Sequence, residues 1–284
     1  MINTEWSLVF FTTISQLAVG IMIAVLLFVF AKKQNSYAKL SQTTLYFAAG
    51  LMFVALILSF LHLNNPVNAV YALSNLETSW LSREIFFVSL FLFCLVLVNL
   101  ILYFKNPDIK YYRAFILVTT IVGIIMVYTM SKLYIIPTVP AWNSVSTIIG
   151  FYSTALLVGA AFVLGLSYHY PIKKKNMIRP GNKTRILAFI TLMAIAIIVI
   201  NALFLNPPVP EGNIAFEPQP LDTSFILTRW LTILLGAVSL LYIVFRKGGV
   251  TNIKLALYLP FAFFLISELI ARAVFYASFY RIGL

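Results

Sequence analysis

The 284 residues are 62% hydrophobic and only 10% charged, too little polar surface to dress a soluble fold, so composition excludes a water-soluble domain. The formal net charge of +12 sits in short connectors between apolar stretches rather than on a folded basic surface, which argues against nucleic acid as a partner. One Cys and two His leave too few ligands for a bis-histidine haem or a four-cysteine iron–sulfur cluster, and no metal site is expected in this protein.

A bilayer core of about 30 Å needs roughly 20 apolar residues per helix. Eight such stretches follow one another at about 6–30, 43–63, 84–104, 112–131, 145–168, 185–205, 223–245 and 254–276. Continuous apolarity of this length rules out barrel strands, which alternate over about ten residues. The expected fold is an all-α membrane protein, a single domain over residues 1–284 built as a bundle of eight transmembrane helices. The first stretch lacks a basic lead and is too long for a signal peptide, so it is expected to stay. Pro260 falls inside the eighth stretch, and the connector 206–222 carries five of the twelve prolines, which predicts an extended backbone there.

Lys and Arg beside the spans are retained on the cytoplasmic side. The first, third, fifth and seventh connectors hold Lys32, Lys33, Lys39, Lys105, Lys110, Arg113, Lys173, Lys174, Lys175, Arg179, Lys183, Arg185, Arg246, Lys247 and Lys254, fifteen of the twenty basic residues. This asymmetry predicts a multi-pass protein of the cytoplasmic (inner) membrane with both termini on the outer, periplasmic side. His62 and His169 then lie on opposite faces and cannot share an iron. Cys94, among Phe and Leu of the third span, reads as a structural thiol.

Under this topology the membrane-embedded polar groups converge on the outer side. His62 ends the second span; Arg83 and Glu84 start the third; Arg229 lies a turn or two into the seventh; Glu268 and Arg272 occupy the outer half of the eighth. Tyr134, Trp142 and Tyr276 fall near the same level, which predicts an outer-leaflet pocket with protonatable groups and aromatic walls. A His and a carboxylate brought together by a connector can take protons from a bound molecule. Plainer readings exist for each. Glu84 after a capping Ser82, and His62 at a helix end, would complement helix dipoles; Glu268 and Arg272, four apart, would form an intrahelical ion pair; Trp6, Trp80, Trp142 and Trp230 would form an interfacial belt.

The string LHLNNPVNAVYALSNLETSWLSREI, from Leu61, resembles the signature of the DmsC family, the membrane anchor subunits of bacterial dimethyl sulfoxide reductase. YIIPTVPAWNSVSTIIGFY at 134–152, FLISELIARAVFY at 264–276 and EWSLVFFTTISQLAVG at 5–20 match in order and spacing. The sequence departs from the pattern at Asn64, where Gly is usual, at Asn68, where Arg is common, and at Ser267, Ala271 and Ala273, which replace glycines.

The resemblance implies a subunit that binds menaquinol near the outer face and holds two exported partners, an iron–sulfur subunit with four clusters and a molybdopterin catalytic subunit. It places quinol oxidation on His62 and Glu84. His62 would accept a ring proton, Glu84 would receive or relay one outward, and Arg83 or Arg272 would stabilise negative charge on the ring oxygen, with Arg229, Glu268, Tyr134, Trp142 and Tyr276 as further quinol-binding candidates. An anchor for another molybdenum oxidoreductase is the near alternative. A secondary transporter is the distant one: Pro260 interrupts the eighth span, but the ionisable residues are biased outward and no internal repeat is visible.

Overall fold

With no water in lipid to satisfy the backbone, each apolar stretch must close its own N–H and C=O groups as a helix. The computed structural model describes residues 6–30, 38–62, 71, 73–104, 109–167, 182–205, 223–245 and 258–279; for Ala38, His62, Ile109, Lys110, Asn182 and Lys183 the description is of the backbone alone. Eight helices among them are long and apolar enough to cross a membrane. They are α1 Trp6–Val29, α2 Ala38–His62, α3 Trp80–Phe104, α4 Ile109–Leu133, α5 Val145–Ser167, α6 Asn182–Ile200, α7 Thr223–Phe245 and α8 Leu259–Ala277. His169, Asn64, Asn68, most of the basic connector residues and the proline-rich 206–222 lie outside the described residues.

Two helix starts differ from the sequence expectation for identifiable reasons. α3 begins at Trp80 because Ser79 Oγ accepts the Ser82 amide at 3.3 Å and the Ser79 carbonyl accepts the Arg83 amide at 3.2 Å. Ser79 is therefore the cap, and Ser82, expected in that role, lies in the first turn. At the other difference, Pro260 sits at the first helical positions of α8, where its missing N–H costs nothing, so it opens the helix rather than interrupting it. Beyond α6 the backbone makes one π-helical turn, Asn201–Leu205, tied to the start of α5 by Asn201 Nδ2 donating to the Ser146 carbonyl at 3.2 Å.

α1 is the hub. It packs on α2, α4, α5 and α8, while α3 with α4, α5 with α6 and α7 with α8 form neighbouring pairs. At its contact with α5, Gly20 meets Ala155 and Gly159 with no room for a side chain, the use small residues have wherever apolar attraction between helices is lacking. Gly236 of α7 likewise receives the Phe264 ring of α8. Many hydroxyls inside the spans bond a carbonyl one turn back, as in Thr44 to Leu40, Thr120 to Ile116 and Thr191 to Leu187.

The antiparallel packing brings the starts of α1, α3, α5 and α7 to the same end as the ends of α2, α4, α6 and α8. Trp80 stacks edge-on with Tyr128, Thr12 meets Tyr276, and Asn99 near the other end of α3 reaches the Leu45 carbonyl near the start of α2.

Candidate functional site

At the end where α1 starts, three helices turn polar stripes toward one another. Thr12 and Gln16 lie four apart on α1, one turn before Gly20; Glu268, Arg272 and Tyr276 lie four apart on α8; Phe151 and Thr154 lie on α5. Gln16 is fully buried, and Glu268 and Arg272 are only 2% and 5% exposed. Arg272 Nη2 donates to Gln16 Oε1 at 2.9 Å, and the guanidinium carbon lies 3.7 Å from the Phe151 ring centroid. Thr154 donates to Glu268 Oε2. The two charged residues therefore share a helix face but not an ion pair among the described residues. Each is held by a different neighbouring helix, which corrects the intrahelical pair read from their spacing.

Above this layer sits an aromatic group. Tyr134 lies 5.4 Å from Trp142, 5.6 Å from Phe151, 5.5 Å from Phe275 and 5.4 Å from Tyr276, centroid to centroid. Trp142 Nε1 donates to the Phe275 carbonyl at 2.7 Å, and its ring stacks on Phe275 with a 15° interplanar angle. Trp142 is thus a buried structural element of the site and no part of an interfacial belt, whereas Trp6 is exposed as the belt reading requires. The Tyr276 hydroxyl stands 3.0 Å from that of Tyr134 and 3.4 Å from Thr12 Oγ1, and Thr12 donates onward to the Leu8 carbonyl at 2.9 Å. One phenolic proton serves one acceptor, so the group forms a directed relay. Burial first, then the neighbouring Tyr276, pushes the Tyr134 phenol well above its ordinary value, and it stays a donor at neutral pH.

Glu84, one turn into α3 and 5% exposed, acts electrostatically on Tyr134. Arg229 of α7 is half-buried, lies over the Trp230 ring at 5.4 Å, and acts electrostatically on Arg272. Arg83 is committed elsewhere: its Nε donates to the Leu76 carbonyl at 2.8 Å, its Nη2 to the Glu77 carbonyl at 2.6 Å, and its guanidinium stacks over Trp80 at 4.3 Å. His62 closes α2, and its side chain lies outside the described residues.

Of the residues singled out from sequence, Glu268, Arg272, Tyr276, Tyr134, Trp142, Glu84 and Arg229 are thus gathered at one end. Thr12, Gln16, Phe151 and Thr154 complete the gathering and were not singled out. The signal for the first two is the polar run TTISQ inside the otherwise apolar α1. Gln16 Nε2, Arg272 Nε, Glu268 Oε1, Ser267 Oγ and Thr13 Oγ1 are buried without a hydrogen-bond partner among the described residues. Each such atom costs about 1–3 kcal/mol unless water or a ligand satisfies it.

A family model described as DMSO reductase anchor subunit (DmsC) matches residues 2–278. The protein belongs to the DmsC family. Its relatives include the C subunit of anaerobic dimethyl sulfoxide reductase from Escherichia coli K12, 27% identical over 99% of this sequence and 96% of the relative. The corresponding C subunit of Haemophilus influenzae is 30% identical over 61% of this sequence and 60% of its own length. The anaerobic dimethyl sulfoxide reductase protein YnfH of E. coli K12 is 32% identical over 55% of each. Membership, with the eight spans, makes the protein a multi-span member of the family of DMSO reductase anchor subunits; it covers only 60% of the Haemophilus relative and 55% of YnfH. The DmsC assignment sets aside the transporter reading.

Proposed function

We propose that this DmsC protein binds menaquinol at the end of the bundle where α1 starts and oxidises it. Two electrons leave one at a time for an iron–sulfur subunit with four clusters, which feeds a molybdopterin subunit. The observation that carries the reading is the convergence of a buried carboxyl, Glu84, two hydrogen-bonded phenols, Tyr134 and Tyr276, and a buried cation, Arg272, around one end of the bundle. A quinol head must lose two protons with its two electrons. It therefore needs acceptors beside its hydroxyls and a positive group near the oxygen that becomes negative.

In this mechanism His62 takes the first ring proton and Glu84 receives or relays the second. The Tyr134–Tyr276 pair orients the head, with Trp142 and Phe275 as its wall. Glu268 and Arg229 set the local charge around Arg272, and Arg83 holds the connector before α3 through its bonds to Leu76 and Glu77. The positive-inside count supports placing this end, with both termini, on the periplasmic side of the inner membrane. Protons released there match those consumed by outside reduction of the terminal substrate, so turnover moves no net charge across the membrane. The substrate itself is chosen by the catalytic partner, which also accommodates the related reading as anchor of another molybdenum oxidoreductase.

The test is saturable binding of a fluorescent quinol analogue, and quinol oxidation, in membranes holding the assembled complex. Glu84→Gln and His62→Ala should each lower oxidation by about 100-fold, the range in which positioned acid–base groups act. Wild-type rates in both variants would refute the proposal.

A further inference from the structure

Arg272 is a cation nearly sealed inside the bundle, yet its contacts are a neutral amide and an aromatic face. A buried charge ordinarily takes a carboxylate partner. The nearest candidate, Glu268, has one oxygen engaged by Thr154 and the other unpartnered. The charged and titratable groups that influence Arg272 are Tyr276, Glu268, Tyr134 and Arg229, the last a second cation, on α7. Gln16 is oriented by giving its oxygen to Arg272, which leaves its Nε2 donor unused, and Arg272 Nε is unused as well. Among the described residues, a fully buried glutamine in the polar run of α1 thus presents a free donor beside a cation with a free donor.

Two unsatisfied donors, one charged, match an anionic oxygen and nothing apolar. We infer that Gln16, which orients Arg272 through its oxygen and offers its own free donor beside it, makes the site favour the deprotonated form of the quinol head over the neutral form. This rests on the quinol reading above and adds to it the charge state of the ligand. When the ring O–H bond breaks, the proton passes to His62 or Glu84 and the electron pair stays on the ring oxygen. The unused donors of Gln16 and Arg272 stabilise that oxygen before any electron leaves. Gln16 sets the angle of the guanidinium and Phe151 its plane.

The experiment uses the complete complex in native membranes and two fluorescent probes. One is an alkyl 4-hydroxyquinoline N-oxide at a pH where it is anionic; the other is its O-methyl derivative, which cannot ionise. Gln16→Glu keeps the shape and the acceptor for Arg272 but replaces the free donor with negative charge. It should weaken the anionic probe by about 10- to 100-fold, the range of a charge-assisted hydrogen bond, and change the neutral probe by less than about 3-fold, within the scatter of uncharged contacts. Gln16→Leu, which cannot introduce a new ion pair, should shift the ratio in the same direction. An unchanged ratio in both variants, with the wild type binding both probes, overturns the inference and leaves the quinol reading standing. A wild type that binds neither probe overturns both.

Discussion

Gly20 of α1 and Gly159 of α5 meet backbone to backbone, so that a Cβ on Gly20 would run into the Ala155 carbonyl and one on Gly159 into the backbone at Gly20 and Ile21. This contact brings the two helices close one turn from Gln16, whose partner Arg272 lies over Phe151 of α5. Unlike a flexible side group, backbone cannot swing aside. Gly20→Ala and Gly159→Ala should therefore destabilise the bundle at or above the usual overpacking cost of about 1–3 kcal/mol. Gly50→Ala, with nothing within 4 Å of the added methyl, is the control. Thermal melts of the purified complex should fall for the first two and hold for the third.

Replacing Arg83 tests its two roles against each other. Its donors are engaged by Leu76 and Glu77 and its face by Trp80. Arg83→Ala should raise protease sensitivity in the 71–79 segment, and Arg83→Lys should fail to restore protection because an ammonium cannot span both carbonyls and stack. Affinity for a quinol analogue should change by less than about 3-fold, since no buried charged contact is lost.

Arg272→Lys retains charge and loses the planar group that stacks on Phe151 while bonding Gln16. Quinol oxidation should drop by about 10-fold or more, as expected for a displaced charge-assisted contact. Membrane retention of the partner subunits, read by immunoblot, should be unaffected.

Tyr134 gives a pH prediction with a definite sign. Its phenol is raised above the ordinary value of 10.0, chiefly by burial. Its neutral form is thus favoured in the folded state, and the stability this confers is intact below about pH 10. That stability is lost as pH rises from there through the folded value. Melts between about pH 8 and 11 should steepen downward at the alkaline end for the wild type, and Tyr134→Phe should flatten part of that fall while losing about 1 kcal/mol with the hydrogen bond to Tyr276.

The eight helices were legible because apolarity sustained over roughly twenty residues, in a protein this poor in charge, fits little but a membrane span. Their edges were less so. An apolar window stops at Arg83 and Glu84, whereas the helix starts where Ser79 caps it, and that cap is a hydrogen bond rather than a hydropathy change. Charge also flagged Glu84, Glu268 and Arg272 correctly as inhabitants of one region, since an ion inside a membrane stands out. What spacing could not give was their partners: the i,i+4 rule proposed Glu268 for Arg272, but α1 and α5 supply Gln16 and Thr154 from far along the sequence. Gln16 passed unnoticed because an uncharged amide scarcely alters a hydropathy profile.

The bonds joining α1 to α8 link residues 256 and 264 positions apart. At a synthesis rate of about 5–20 residues per second, α1 waits roughly ten to fifty seconds in the bilayer before its polar stripe can meet α8. Through that interval Thr12 can bond its own Leu8 carbonyl, but Gln16 has no such refuge and remains a polar flaw on the hub helix. The polar layer therefore closes only when the last helix is in place, so its integrity depends on the whole span of the sequence from α1 to α8.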